Sequence, residues 1–318
     1  MRILLTGATG FIGHAVARAL LERGHSLRLV VRRPPPSDLL GPRTEVWQAD
    51  LRDRRALQGC MEGMEAVVHV AGQLRGWRFR AFYDGNVRAT QNLLQEVAAP
   101  LRRFVYFSSL AAQGPLHPET GRPLGPVSHY GRSKRLAEEA IRRRLPEPSW
   151  VFLRPGVVYG PGDRALLPFF RWLLRHRRLP VPARPRRLGL VYVEDLVAFT
   201  LWALEAPEAA GRTFCITGPE APSVSEILQQ IARTMGRDLH PVPLPGIALK
   251  AAGLLGALLF PLGKPAPWIN PDKLREARQE EWRCVQADAW HRAAGLRPTP
   301  LEEGLRRTLA FYRQAHWL

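Results

Sequence analysis

Cysteine is scarce in this chain of 318 residues, which contains only Cys60, Cys215 and Cys284. An odd number of cysteines without a CxxC pair argues against a disulfide framework and against a structural zinc site. The histidines at 69, 129 and 291 lack the spacing of metal ligands, so no metal site is predicted. These absences favour a reducing, cytoplasmic location.

Lysine is also rare, because only four of the 46 basic residues are lysines. The formal charge of +18 therefore comes almost entirely from arginine. A charge of this size can mark a protein that binds nucleic acid or another polyanion. The arginines are scattered as codon bias would scatter them, and no helix-turn-helix, zinc or RNA-binding signature accompanies them. Nucleic acid is therefore disfavoured as a partner.

Long hydrophobic runs are missing as well. A membrane span needs about 20 largely apolar residues, and the most apolar stretch, 246–263, is interrupted by Lys250 and Pro261. We expect this stretch to form a buried helix that lines an apolar substrate pocket, with contact to a membrane surface as an alternative. The apolar pattern begins at Ile3 with no basic leader before it, so no secretory signal is predicted.

Short apolar runs alternate with helical patterns through the first half of the chain. The runs predict strands at 2–6, 27–31, 46–49, 66–70, 104–107 and 150–153, and the intervening periodicity predicts helices at 11–23, 86–98 and 133–143. This alternation is typical of βαβ units, in which helices cover both faces of a parallel sheet.

Three glycines, Gly7, Gly10 and Gly13, follow the first predicted strand within TGATGFIG. Gly7 would allow a tight turn, Gly10 would let a pyrophosphate approach the backbone, and Gly13 would let the helix pack close to the strand. The positive helix N-terminus would then hold the phosphates. A purely structural turn is the alternative, because GxxGxxG differs from GxGxxG, but the position after the first strand favours a dinucleotide site.

The predicted fold class is therefore α/β, with a Rossmann-type doubly wound parallel sheet and a smaller, mostly helical C-terminal substrate domain. We expect a dinucleotide-binding domain over residues 1–160. Residues 161–318 would form mainly the substrate domain, with 188–217 returning to the Rossmann sheet.

The second predicted strand ends in LVVRR and lacks the carboxylate that binds the ribose of NAD. Arg32 and Arg33 would instead pair with the 2′-phosphate of NADP. The sequence therefore favours NADP(H), with NAD(H) as the alternative.

The stretch YGRSK places Tyr130 and Lys134 four residues apart, on one face of a predicted helix. A neighbouring ammonium would lower the pKa of a phenol and make it usable for acid–base catalysis. FVYFSSLAAQG supplies hydroxyl groups at the C-terminal end of a parallel strand, where open α/β sheets bind ligands. A Tyr–Lys pair alone is common on helix surfaces. In combination with the glycines and the strand-end serines, it predicts an active site.

Taken together, these segments resemble the extended short-chain dehydrogenase/reductases, the epimerase/dehydratase group, along essentially the whole chain. TGATGFIG resembles the cofactor loop of the family, ADL its adenine-contacting segment, and HVAG the segment beneath the cofactor. YDGNVRATQNLL resembles the helix whose asparagine supports the lysine, and RPGVVYGPGD and VYVEDL resemble later landmarks.

The resemblance implies catalytic roles for Ser109, Tyr130 and Lys134, with Asn86 in support. Ser109 and Tyr130 would hydrogen-bond the reacting oxygen, Tyr130 would exchange its proton, and Lys134 would hold the nicotinamide ribose during hydride transfer. The expected cofactor-binding residues are Gly7, Thr9, Gly10, Phe11, Ile12, Gly13, Arg32, Arg33, Asp50, Leu51, Val70, Ala71, Gly72, Tyr130, Lys134, Pro155, Val157 and Val158.

Two departures from the family pattern bear on the reaction. Leu110 and Ala111 stand where dehydratases carry an acidic pair, and Gln113 stands where many sugar-nucleotide enzymes carry a tyrosine. The expected function is an NADP(H)-dependent oxidoreductase acting on a small-molecule secondary alcohol or ketone, with an apolar substrate favoured. A nucleotide-sugar epimerase and a non-catalytic NADP(H)-sensing protein are the alternatives. A monomer or a homodimer is expected.

The C-terminal half gives weaker signals. The basic stretch 171–187 would meet a substrate diphosphate or, as the favoured interpretation, form an amphipathic helix followed by a solvated loop. Asp195 is expected to cap a helix rather than to act in catalysis. The last 21 residues resemble the closing helix of the family, with Leu305, Leu309 and Tyr312 packed inward.

Overall fold

The computed structural model describes residues 1–176, 178–182, 186–244 and 271–318. Its strands are β1 (Arg2–Thr6), β2 (Ser26–Val31), β3 (Thr44–Gln48), β4 (Ala66–His69), β5 (Arg103–Phe107), β6 (Trp150–Pro155), β7 (Val157–Tyr159), β8 (Arg178–Pro182), β9 (Arg187–Leu188), β10 (Leu190–Tyr192), β11 (Thr213–Ile216), β12 (His240–Leu244) and β13 (Glu281–Trp282). Its α-helices are α1 (Phe11–Glu22), α2 (Phe79–Phe82), α3 (Ala89–Gln95), α4 (Leu110–Gln113), α5 (His129–Arg144), α6 (Leu167–Arg175), α7 (Val193–Glu205), α8 (Val224–Thr234), α9 (Pro271–Ala277), α10 (Ala289–Ala294) and α11 (Leu301–Gln314).

Seven strands form one parallel sheet in the order β11-β6-β5-β4-β1-β2-β3. Both faces of this sheet are buried in apolar cores. Alternate residues of a strand point to opposite faces, so a single strand contributes to both cores. Along β1, Ile3 and Leu5 belong to one apolar core and Leu4 to the other. The predicted α/β class with a Rossmann-type doubly wound sheet is confirmed.

The strand order reverses between β1 and β4, which lie side by side with Thr6 opposite His69. Open α/β sheets bind ligands beyond the carboxyl ends of their strands at such a reversal. The fold therefore opens a crevice between two segments. One follows β1 and starts at Gly7, and the other follows β4 and starts at Val70.

The predicted helix at 86–98 differs most from the observed elements. A π-helix over Tyr83–Arg88 precedes α3, so the helical chain begins earlier and changes its hydrogen-bond pattern in the middle. Single π-turns inside helices occur frequently at functional sites, and this one contains Asn86.

The later part of the chain contributes both to the sheet and to a separate apolar cluster. Strand β11 pairs with β6 at the edge of the sheet. Helices α6, α8 and α11 pack around a cluster that includes Phe170, Ile231 and Tyr312. Leu305, Leu309 and Tyr312 are buried, as predicted. The division into two domains near residue 160 stays a prediction.

The cysteine prediction was wrong. Cys215 in β11 and Cys284 after β13 form a disulfide, with their Cα atoms 5.6 Å apart. The two residues are 69 positions apart, and folding of the segment around β13 against the sheet edge brings them together. Nothing in their spacing along the chain signals that contact.

The capping role expected for Asp195 was also wrong. Asp195 lies in the first turn of α7, whose N-cap is Tyr192. Its carboxylate accepts hydrogen bonds from the backbone N–H and the hydroxyl of Thr299, at 2.8 and 2.7 Å. It therefore ties α7 to the segment that leads into α11.

Two sequence predictions concern stretches that the structure describes only in part or not at all. Within 171–187, the end of α6 is followed by β8 and β9, while residues 177 and 183–185 are outside the described residues. The apolar stretch 246–263 is also outside them. Among the described helices, none combines the length and the apolar composition that crossing a bilayer requires.

Candidate active site

A cleft of about 530 Å³ lies at the strand reversal, beyond the carboxyl ends of the parallel strands. It brings together most of the residues that the sequence singled out, namely Gly7, Thr9, Gly10, Phe11, Ile12, Gly13, Arg32, Asp50, Leu51, Val70, Ala71, Gly72, Ser109, Tyr130, Lys134, Pro155 and Val158. Arg33, Asn86 and Val157 are not among its lining residues. The residues that sequence reasoning missed are Val30, Val31, Ala49, Arg52, Gln73, Leu74, Gly85, Ala89, Phe107, Ser108, Gly156, Asp163 and Ala165. Most of these lie inside the motifs quoted above, such as ADL, YDGNVRATQNLL and RPGVVYGPGD, although they were not singled out as site residues. Arg52 and Gln73 directly follow such motifs.

The glycine turn forms one end of the cleft. Gly7 has φ +83°, and a Cβ atom there would lie 2.8 Å from the backbone nitrogen of Ala71. A Cβ atom on Gly13 would lie 2.0 Å from the carbonyl oxygen of Gly7, so only glycine lets α1 approach the turn this closely. Gly10 is the N-cap of α1 and provides no side-chain cap, which leaves the helix N-terminus facing the cleft. This arrangement fits a phosphate group.

Asp50, Arg52 and Arg32 line the same end of the cleft. The guanidinium of Arg52 lies 2.7 Å from the Asp50 carboxylate, and this hydrogen bond lowers the pKa of Asp50. Arg32, whose charge also acts on Asp50, is exposed and follows directly after β2. The guanidinium of Arg32 therefore lies at the end of the second strand, where an NAD-binding site would carry a carboxylate.

A series of buried, hydrogen-bonded polar side chains lies under the middle of the cleft. His69 contacts Thr6 Oγ1 through Nδ1 at 2.6 Å and Thr90 Oγ1 through Nε2 at 2.9 Å. Because the Thr90 hydroxyl donates to the carbonyl of Asn86, it must accept from Nε2–H, so Nδ1 accepts from Thr6. Burial lowers the pKa of His69 to about 3, which keeps the ring neutral. Thr6 in turn accepts from the N–H of Ala71 and fixes the segment that follows β4.

The side chain of Asn86 holds the next residues of that segment. Its Oδ1 accepts from the N–H of Gln73 at 2.7 Å, and its Nδ2 donates to the Gln73 carbonyl and to Ser133 Oγ. Asn86 thus joins the backbone beside Gly72 to helix α5. The side-chain hydrogen bonds of Asn86 therefore lead to Gln73 and Ser133, and Ser133 precedes Lys134 in α5.

Ser109 and Tyr130 meet in the cleft through their hydroxyl groups. Ser109 is the N-cap of α4, and its Oγ accepts from the N–H of Ala111 at 3.1 Å. The neighbouring Ser108 instead donates to the buried carboxylate of Glu138 at 2.6 Å. The two serines therefore have different partners, and Ser109 is the one beside the phenol.

The pKa of Tyr130 differs from the sequence prediction. Tyr130 is only 8% exposed, and its burial raises the pKa of the phenol above its ordinary value, while the hydrogen bond with Ser109 opposes this rise. Lys134 is 2% exposed, and burial lowers its pKa to about 7 although the nearby Glu138 carboxylate raises it. Burial therefore acts on both groups, and the lowered phenol pKa that the helical spacing predicts is not found.

The Glu138 carboxylate is itself held in a buried ion pair. Arg154 contacts it through two nitrogens, at 2.8 and 2.6 Å. Tyr130, Lys134 and Glu138 follow one another at intervals of four residues and share one face of α5. The helix therefore presents a phenol, an amine and a carboxylate in line, with the phenol and the amine in the cleft.

Comparison with known proteins identifies the family. Residues 3–217 match the family model described as "NAD dependent epimerase/dehydratase family". The chain is 30% identical to a ceramide reductase of Caulobacter vibrioides over 99% of its own length and 96% of the relative's. It is 28% identical to sterol demethylase protein B of Methylococcus capsulatus over 99% of both chains.

A solved structure shares the fold. UDP-glucuronic acid 4-epimerase from Bacillus cereus, in complex with UDP-glucuronic acid and NAD, superposes with a TM-score of 0.74 at 23% identity, covering 99% of this chain and 100% of the other. The resemblance inferred from the sequence motifs is confirmed. The chain belongs to the NAD dependent epimerase/dehydratase family and is an enzyme of its oxidoreductase or epimerase type.

Proposed function

We propose that this protein is an NADP(H)-dependent oxidoreductase that reduces an apolar ketone, or oxidises the corresponding secondary alcohol, by a Ser–Tyr–Lys mechanism. The convergence of the Ser109 hydroxyl, the Tyr130 hydroxyl and Lys134 at one end of a cleft, with the glycine turn at the other end, carries this proposal. The nicotinamide, when bound, supplies or accepts the hydride.

The environment of each side chain defines its role. Burial keeps the Tyr130 phenol protonated at neutral pH, so Tyr130 is suited to donate a proton to a ketone oxygen. Ser109 Oγ already accepts from Ala111, which leaves its O–H to donate toward Tyr130 or the substrate oxygen. Lys134 holds the ribose when it is protonated. In this protonation state Tyr130 is ready to act as the general acid that ketone reduction requires.

Two observations support an apolar substrate. Phe82, Leu110, Ala111 and Trp282 pack with Tyr130 in a buried apolar cluster, so the reacting phenol lies beside apolar side chains. Two full-length relatives also carry names that refer to a ceramide and a sterol, both of which are lipids. Arg32 in the cleft supports NADP(H), because a guanidinium pairs well with the 2′-phosphate.

The test uses purified protein, NADPH and a series of linear methyl ketones of increasing chain length. We expect net oxidation of NADPH, with kcat/KM rising with chain length as apolar area is buried. Cofactor binding without net oxidation for any ketone, and without reduction of NADP⁺ by the matching alcohols, would sink the proposal. Interconversion of UDP-glucose without net cofactor change would identify an epimerase instead.

Three further expectations stay predictions from the sequence. These are the cytoplasmic location, the monomeric or homodimeric state and the two-domain division. None of them enters the argument for the reaction.

A further inference from the structure

The first turn of the helix that carries Tyr130 is held by a distant part of the chain. The first N–H groups of any helix lack partners inside the helix and need acceptors from elsewhere. In α5, the N–H of Gly131 donates to the Ser128 hydroxyl at 2.9 Å. The N–H groups of His129 and Tyr130 both donate to the Asp272 carboxylate, at 2.6 and 3.1 Å.

Helix α9, which contains Asp272, makes a second contact one turn further on. Glu276 accepts a hydrogen bond from the Ser128 hydroxyl at 2.7 Å. Residues four apart share one face of a helix, so Asp272 and Glu276 reach the start of α5 together. They contact three consecutive residues, Ser128, His129 and Tyr130, across a sequence separation of more than 140 residues.

The charges at this junction are suited to hold it. Asp272 is only 4% exposed, and hydrogen bonds to an ionised acceptor are about twice as strong as neutral ones. A carboxylate at a helix N-terminus also gains from the helix dipole. Arg275 lies 3.3 Å from Asp272, and Lys273 lies 2.6 Å from Glu276, so each carboxylate has a cationic neighbour.

The same helix contacts the reacting side chain itself. The Lys273 Nζ atom lies 5.5 Å from the centre of the Tyr130 ring. The titratable groups that act on Tyr130 or lie beside it are Lys134 on α5, Asp272, Lys273 and Glu276 on α9, and Tyr106 on β5. Helix α9 thus touches Tyr130 at its backbone and at its ring.

We propose that Asp272 is a positioning residue for the reaction, which fixes the first turn of α5 so that the Tyr130 hydroxyl meets Ser109 and the reacting oxygen. This inference rests on the proposed function, since it assigns a role in the proton transfer of Tyr130. It also makes the C-terminal segment part of the catalytic arrangement, although that segment lies outside the residues matched by the family model.

The first test replaces Asp272 by asparagine, which keeps the shape and one acceptor but removes the charge. With the methyl ketone that the wild-type enzyme reduces best, we expect kcat to fall about 10- to 100-fold, because small displacements of a catalytic group cost that much. KM and the Kd for NADPH should change by about twofold or less, since Tyr130 acts in the transition state. Asp288→Asn is the matched control, because it removes an exposed carboxylate that pairs with Arg292 on α10.

The second test separates positioning from a merely structural contact. Glu276 holds the same turn through the Ser128 hydroxyl, so Glu276→Gln should lower kcat in the same direction as Asp272→Asn and by a smaller factor, with KM and the Kd for NADPH unchanged. A contact that only stabilises the fold would lower the melting temperature and leave kcat of the folded variant at its wild-type value. Hydrogen exchange of the amides of His129 and Tyr130, measured without substrate, should quicken in Asp272→Asn and stay unchanged in Asp288→Asn.

The outcomes discriminate among the hypotheses. If the wild-type enzyme reduces ketones and Asp272→Asn keeps the wild-type kcat, Asp272 has no positioning role and only this inference fails. If the wild-type enzyme turns over no ketone or alcohol, the proposed function fails and the inference falls with it. Should Asp272→Asn fail to fold, a wild-type kcat in Glu276→Gln overturns the inference, because Glu276 holds the same turn of α5 through Ser128.

Discussion

The two ends of the cleft are built in different ways. The phosphate-binding turn of the cofactor end lies within one short stretch from Gly7 to Gly13, in which the turn and the start of α1 meet at the backbone. The reacting end combines Ser109, Tyr130 and Asp272, and the backbone of Tyr130 donates to a carboxylate 142 residues away. A local strand–turn–helix unit sets the first end, whereas packing between distant segments sets the second.

This difference leads to distinct expectations for substitutions. A change in the glycine turn should remove cofactor binding, because backbone atoms leave no room for adjustment. A change at the reacting end should alter the rate or its pH dependence while the cofactor still binds. The predictions below test that separation.

Among the substitutions that test cofactor binding, the largest effect is expected for Gly13→Ala. The added Cβ atom would lie 2.0 Å from the Gly7 carbonyl oxygen, so α1 must move away from the turn. Overpacking of this kind costs about 3 kcal/mol, or roughly a hundredfold in NADPH affinity. Gly41→Ala is the control, because nothing lies within 4 Å of its added Cβ atom. Fluorescence titration with NADPH measures both, and wild-type affinity in Gly13→Ala would refute the role of the turn.

A smaller effect is expected at Arg32, which lines the cleft, whereas Arg33 is not among the lining residues. Loss of one charge-assisted contact to the 2′-phosphate should weaken NADPH binding about tenfold and leave NADH binding nearly unchanged. Arg33→Ala should change neither affinity. Equal losses for NADPH and NADH in Arg32→Ala, or tighter NADH binding by the wild-type protein, would contradict the preference for NADP(H).

The smallest effect concerns pH. Lys134 is charged below its pKa of about 7, so ketone reduction that needs the ammonium should decline as the pH rises through that value. The Glu138 charge raises this pKa, and Glu138→Gln should therefore move the decline to lower pH. The readout is the ratio of kcat/KM at two pH values, because Glu138 also holds Arg154 and Ser108. Glu139→Gln, on the exposed side of α5, should leave the ratio unchanged.

Local features of the cofactor end could be predicted from the sequence. The apolar run before Gly7 and the glycine spacing encode a strand, a turn and a helix within about twenty residues. The pair Tyr130 and Lys134 is equally local, because helical spacing alone places them on one face. These predictions depend on backbone geometry that neighbouring residues determine.

Long-range features could not be predicted in the same way. Asp272 lies in a seven-residue helix with no motif, and its partners are backbone N–H groups, which every helix start offers. The disulfide between Cys215 and Cys284 and the contact of Asp195 with Thr299 likewise arise only when separate segments pack. The direction of the Tyr130 pKa shift also depends on burial, which spacing along the chain does not reveal.

The most direct test of the account is Tyr130→Phe, which removes the phenol hydroxyl and keeps the ring. We predict that the rate of ketone reduction falls by about 10²- to 10⁴-fold, as for other losses of a general acid, while the Kd for NADPH and the melting temperature stay at their wild-type values. A Tyr130→Phe enzyme that reduces the same ketone at the wild-type rate would contradict the central claim that this phenol transfers the proton.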